Sequence, residues 1–164
     1  MAKKIRFSLS EKDINRAIRE VEQYKAELNI KISCLIETLT DYGVEIAKVQ
    51  VRSLGAWYTG ELESSIEGYF SPSVGVGIIK AGAPYAVYVE FGTGVVGASA
   101  PHPAPTGWTY DINGHGESGW WYFNPNDGRV HWTKGMESRP FMYNTVRELE
   151  QICVSVAKEV FGRD

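Results

Sequence analysis

An apolar repeat through the first third of the chain limits its possible folds more than any other feature. Ser8 or Ser10 can cap a helix, with Glu11 or Asp13 three residues on as the reciprocal partner. Apolar residues then recur at Ile14, Ile18, Val21, Leu28, Ile32, Leu35, Leu39, Tyr42, Ile46 and Val49, with Lys25 the one misfit and Tyr24 able to cover its place. The mean step of about 3.5 makes a coiled-coil-like seam, narrower than the stripe of an ordinary surface helix. The spacing predicts a helix over residues 11–52. About forty residues would span roughly 60 Å, whereas a compact chain of this size has a radius of gyration of about 15 Å. Three arrangements resolve the mismatch. The helix bends, with Asn29 or Gly43 as weak points; its far end lies against another subunit; or two antiparallel helices form within one monomer.

Beyond it, Leu54-Gly-Ala-Trp-Tyr-Thr-Gly60 breaks the helix and turns the chain. Residues 65–70 and 74–79 alternate with period two around Ser71-Pro-Ser73, which reads as an antiparallel hairpin. Gly75 and Gly77 leave one face of its second strand bare, so another backbone or the long helix can approach there. In Ala83-Pro-Tyr-Ala-Val-Tyr-Val-Glu-Phe-Gly-Thr-Gly94, Pro84 starts a short buried element and Gly92 and Gly94 force its stop. From Gly94 to Gly135 the texture changes. No leucine occurs between Leu62 and Leu149, and Trp108, Trp120, Trp121 and Trp132 crowd together. Pro101, Pro103 and Pro105 mark a stiff, extended approach. Asp111 to Gly119 reads as a mobile loop, and Gly119 to Thr133 as a hairpin turning on Asn-Pro-Asn-Asp-Gly. Ser138 is placed to cap a closing helix that Arg139-Pro140 starts. There Met142, Val146, Leu149, Cys153, Val156 and Val160 repeat the seam, and Gly162 ends it. The predicted class is α+β: a small antiparallel sheet covered by a long N-terminal and a C-terminal helix, with a Trp-rich hairpin inserted at about residues 95–135.

At 164 residues the chain suits one domain, residues 1–164. No apolar run approaches the ~18 residues of a membrane span. The basic start Met1-Ala-Lys-Lys-Ile-Arg-Phe7 leads into polar residues, unlike a secretory signal. Cys34 and Cys153 each fall inside a helical pattern, which favours two buried thiols over a disulfide. Ten of the 17 Lys/Arg and eight of the 20 Asp/Glu lie in residues 1–52, leaving the remainder acidic. That argues against phosphate-driven nucleic-acid binding, which needs clustered cations.

No pattern marks an enzyme. Glu90, among aromatics, has three readings: a general acid, the partner of a neighbouring subunit's Arg139 or Arg52, or a carboxylate fixing the Gly92–Gly94 turn through backbone N–H groups. Glu61, Glu63 and Glu67 can pair with Glu90 only if a separation of roughly 5–10 Å holds, and solvated acids on a half-exposed strand are the plainer reading. His102, His115 and His131 have no ligand spacing, so no metal or cofactor is expected. Ser64, Ser65 and Ser118 lack a nucleophile elbow. Trp120, Trp121, Tyr122 and Trp132 form either an interface or a ligand platform, or else a minicore of their own; too few leucines surround them for a core.

Three segments in order carry a resemblance: Tyr58-Thr-Gly-Glu-Leu-Glu-Ser-Ser-Ile66, Tyr85-Ala-Val-Tyr-Val-Glu-Phe-Gly-Thr93 and Arg139-Pro-Phe-Met142. In them the chain resembles the tail-completion family of long-tailed bacteriophages, the HK-ninety-seven gene-product-ten-like head-to-tail joining components. The resemblance implies a structural virion protein, assembled in the bacterial host cytoplasm, without catalytic residues. Such a protein forms a homo-oligomeric ring, a hexamer, at the neck end of the tail. Its partners would be copies of itself, the tail tube or terminator, and the head connector, with DNA passing through unbound and no membrane involved. Thr59, Gly60, Leu62, Tyr85, Tyr88, Glu90, Phe91, Gly92, Thr93, Arg139, Pro140 and Phe141 would form the fold's junction. The long Trp-rich interval departs from the family pattern. Two other functions fit the residues: a carbohydrate-binding or cell-wall-active module built on the aromatic hairpin, and another ring protein of the neck or tail terminus.

Overall fold

The computed structural model describes residues 8, 10–111, 114, 115, 118–125 and 127–162. The basic start, part of the 111–119 loop and Asn126 in the second hairpin's turn lie outside these. The 3.5-residue repeat forms one unbroken helix, α1 (Glu11–Ser53), continuous through Asn29 and Gly43. The two-helix alternative is therefore excluded. Ser10 caps it, accepting from the Asp13 N–H, while the Asp13 carboxylate accepts from the Ser10 hydroxyl at 3.0 Å. The chain turns at Leu54 and Gly55 into the single-turn α2 (Glu61–Ser64). Strands β1 (Ile66–Ser71) and β2 (Val76–Ala81) follow as an antiparallel hairpin, with Ile66 opposite Ala81 and Ser71 opposite Val76.

Two short helices come next, α3 (Ala86–Phe91) and α4 (Gly94–Ser99). The segment read as a short buried element is thus a helical turn and a half with one buried face, Ala86, Val89 and Glu90; Val87 and Tyr88 on its other side are exposed. After the insertion's first loop, β3 (Trp120–Asn124) and β4 (Arg129–Thr133) form a second, separate hairpin. The two-residue β5 (Gly135–Met136) bridges back to Thr93 and Gly94, and α5 (Phe141–Gly162) closes the chain. The architecture is α+β, as expected: one two-stranded antiparallel sheet packs against the helices, and the Trp-rich insertion forms a second.

The face of α1 that enters the core is not the apolar seam. Its buried residues are Thr40, Gly43, Ala47 and Val51, a stripe of mostly small side chains. Small residues win here because the first hairpin presses its backbone against the helix. A Cβ added at Gly77 would stand 2.0 Å from Thr40 Oγ1, and one at Gly43 would stand 2.1 Å from Ile79 Cδ1. Gly77 therefore permits close approach as its bareness suggested; Gly75 instead makes the turn, at φ +69°, where an added Cβ would meet nothing. Ala47, Val51, Ala56, Leu62, Ile66, Ala83, Ala86, Val89 and Phe141 pack into one cluster where α1, the first hairpin, α3 and the start of α5 converge. Burying these side chains, each contributing on the order of 1–3 kcal/mol, fixes that convergence.

All buried residues of α1 lie in its C-terminal half. Helix α5 runs beside that half: Gln50 Nε2 donates to Glu148, Asn144 Nδ2 donates to Gln50, and at the far end Lys31 Nζ donates to the Phe161 carbonyl at 3.3 Å. The two helices therefore do lie alongside. The first twenty or so residues of α1 project beyond the far end of α5, a length of roughly 30 Å. Cys34 is exposed and Cys153 half-buried, both as free thiols, so the buried-thiol reading fails for Cys34. Among the described residues no helix is long and apolar enough to cross a membrane.

Candidate functional site

Proline cannot cap a helix with its side chain, and the opening of α5 is built around that deficiency. The Phe141 N–H donates to Arg139 O at 2.8 Å and the Asn144 N–H to Pro140 O at 3.0 Å, so Pro140 occupies the capping position. The amides of Met142 and Tyr143 are then left for an outside acceptor. Glu90 supplies it from the last turn of α3. Its Oε2 accepts from the Met142 N–H at 2.8 Å and its Oε1 from the Tyr143 N–H at 2.9 Å. A carboxylate at a helix N-terminus is favoured by the helix dipole as well as by the two bonds. Ser138, expected as the cap, instead donates its hydroxyl to the Glu90 carbonyl at 2.6 Å. It joins the backbones while Glu90 does the capping.

His102 completes the arrangement. Its Nε2 lies 3.0 Å from Glu90 Oε1, and both side chains are buried. Its Nδ1 accepts from the Ala104 N–H at 2.9 Å, which leaves Nε2 as the protonated nitrogen that donates to the carboxylate. Phe91 lies 4.4 Å from the imidazole, Trp108 stacks on Phe91 at 5.0 Å, and Tyr143 meets His102 edge-on. The Trp108 indole N–H donates to Gly92 O, and the Tyr110 hydroxyl accepts from the His102 N–H. Glu90 is thus held by three donors in a site closed to solvent. It does not fix the Gly92–Gly94 turn, and Arg139 and Arg52 are engaged elsewhere. Arg139 donates to Gly55 O and faces Glu137, while Arg52 forms a two-pronged pair with Glu63. Chemically the cluster fastens three segments together; no face of the carboxylate is open to a substrate.

The junction residues do meet, in two groups. Tyr85 lies against Thr59, Glu61 and the Leu62 backbone at α2, and burial, with Glu61 beside it, pushes its phenol pKa up. Gly60 starts α2 at φ +83°, and Leu62 and Phe141 share the core. The second group is Glu90, Phe91, Gly92 and Thr93 against residues 136–143. Arg139 N–H donates to Val89 O, and Met136 N–H donates to Thr93 Oγ1. Tyr88 packs edge-on to Trp108. Glu61 and Glu63 sit on α2, not on the strand where they were expected; only Glu67 lies on β1. From the sequence, His102 counts only as a possible metal ligand and Trp108 only as one of the clustered tryptophans, and neither is placed at the Glu90 site. A lone histidine between Pro101 and Pro103 was the sole local signal.

The four hairpin aromatics do not form one face. Side chains directly opposite across an antiparallel pair share a face, as do alternate residues along a strand. Trp121 pairs with Trp132 and Phe123 with Val130, so these four share one side, each between 47% and 66% exposed. Trp120 is on the other side, half-buried, stacked on His115 at 5.0 Å and close over Gly94. Tyr122 lies there too, beside His131. The two indoles of the outer face meet edge-on, at 65° and 5.3 Å. A second uncovered apolar surface is the seam of the projecting α1, including Ile14, Ile18, Val21 and Tyr24. Among the described residues no group of three or more His, Cys, Asp or Glu side chains is placed to hold a metal. Comparison with protein-family models, with curated proteins and with solved structures found no match to this chain.

Proposed function

We propose that the protein is a structural subunit of a bacteriophage virion, a tail-completion or head–tail joining component that tiles into a ring at the neck end of the tail. One observation carries this reading: a long helix projects from the globule with its apolar seam uncovered. A projecting helix with a wet apolar face gains little stability alone, since most helical stability comes from burying that face. The best-placed acid, Glu90, is engaged in fastening the fold, which agrees with a role in shape over one in catalysis. Two of the three motif segments that resemble the tail-completion family, residues 85–93 and 139–142, also meet at the Glu90 junction. The partners would be further copies of the chain, the tail tube or terminator, and the connector. Another ring position at the neck or tail terminus fits the same surfaces and differs only in its neighbours.

Light scattering on purified protein, with negative-stain imaging of virions labelled at the C-terminus, tests the reading. A closed ring, in solution or on the tail, is the expected result; a tight, exclusive dimer overturns it.

The exposed Trp121–Trp132 face favours a second reading, a carbohydrate-binding module. Its weakness is geometric, since rings inclined at 65° do not offer one flat platform for a sugar. Glycan-array binding that disappears in Trp121→Ala would establish it.

A further inference from the structure

An open groove of about 370 Å³ runs between α1 and α5, floored by Tyr42, Ile46, Ile152 and Val156 and rimmed by Glu148 and Glu159. Its two rim acids are eleven residues apart on α5, so it is roughly 16 Å long, enough for two to three helical turns. The seam residues Ile14, Ile18 and Val21 span about 10 Å of helix and are all exposed. We infer that the groove receives the projecting N-terminal part of α1 from a second copy of the chain. This contact rests on the self-assembling reading above and names its surfaces.

The chain's own seam cannot fill the groove. Ile18 and Ile46 lie on one unbroken helix, separated by about 40 Å along its axis. A second copy fits because the groove's α1 wall continues the same repeat. Tyr42 and Ile46 are the seam positions of the far half, so a helix with matching spacing can pack its ridge there. Charge is compatible, since Lys25 follows Ile18 by one heptad and so lies on the same helical face that would enter the acid-rimmed groove. Donor and acceptor are different surfaces of one molecule, so the contact is heterologous and propagates into a ring or an open filament.

The full-length chain, in a Cys34→Ser/Cys153→Ser background, is oxidised after Ile18→Cys and Ile152→Cys are introduced singly and together. The double variant is expected to give a covalent ladder on a denaturing gel and each single variant only monomer. A dimer from Ile18→Cys alone would mean that seams pair with each other and overturns the contact. Assembled rings whose double variant gives no ladder also overturn it, while leaving the ring reading intact. A ladder from open filaments that never close keeps the contact and sinks the ring. In an independent measurement, Ile18→Asp should leave the folded chain's near-ultraviolet circular dichroism in place and shift the scattering mass to monomer; an unchanged assembled mass overturns the contact.

Discussion

Glu90 and Met142 are 52 positions apart, yet the Glu90 carboxylate accepts the Met142 amide N–H at 2.8 Å. The helix that ends the chain is therefore capped by a side chain from its middle. The same carboxylate takes the His102 ring N–H, so the insertion, α3 and α5 are registered at one point. If copies close into a ring as proposed, the surfaces offered by α1, α5 and the second hairpin must keep fixed relative positions, and this junction supplies that rigidity.

Glu90→Ala should cost about 3 kcal/mol or more of folding stability. It strands the amides of Met142 and Tyr143 and the His102 Nε2–H in a buried site, and each unsatisfied donor costs roughly 1–3 kcal/mol. Urea unfolding followed by circular dichroism measures the loss. A change under about 0.5 kcal/mol, the range of an ordinary surface substitution, would rule out the cap.

Gly92→Val tests the turn beside it. Gly92 has φ +78°, and an added Cβ would lie 2.7 Å from the Ser138 nitrogen and 2.8 Å from Met136 O. Conformation and space both forbid a β-branched residue, and backbone strain alone is of order 1–3 kcal/mol. The expected result is a fall of several degrees in melting temperature, or failure to fold. A wild-type melting curve would disprove the assignment.

These sites differ in how far the sequence revealed them. The long helix and both hairpins were readable because a repeat of three and four, or of two, is a local property set by neighbours in the chain. The burial of α1 was not. Large seam residues announce an apolar face, but Gly43 and Ala47 are buried deeper, and at Gly43 the Ile79 side chain fills the space a Cβ would need, which only the assembled hairpin reveals. Helices α3 and α4 went unassigned because aromatic and glycine-rich segments carry weak helical propensity. Glu90 stood out as an acid among aromatics, but its partners come from 12 and 52 residues away. Without those distances it could equally be read as an acid, an intersubunit partner or a turn brace.

The second hairpin should loosen in acid. The Asp127 carboxylate is held below the ordinary carboxylate range by the Arg129 amide N–H and, secondarily, by the His131 imidazole. A depressed folded-state pKa means the contribution is fully present above the unfolded value of about 4 and is lost as pH falls through the folded one. The near-ultraviolet circular dichroism of the tryptophans should therefore decline below about pH 4, and less so in Asp127→Asn. Identical profiles for the two proteins would remove Asp127 from the account.

The last prediction separates two adjacent tryptophans. Trp121 is 66% exposed on the outer face, whereas Trp120 packs on His115 and over Gly94 at the hairpin's root. Trp121→Ala should change folding stability by less than about 0.5 kcal/mol, as surface substitutions do, yet weaken assembly, because a large exposed ring at an interface carries much of its energy. Trp120→Ala should do the reverse, costing about 2 kcal/mol or more by emptying a packed site while leaving the outer face intact. Denaturant unfolding and scattering mass, measured on both variants, give four numbers with a definite expected pattern. If Trp121→Ala unfolds the protein as readily as Trp120→Ala, the outer face is part of a core. If it leaves the assembled mass unchanged, that face is not where copies or partners meet.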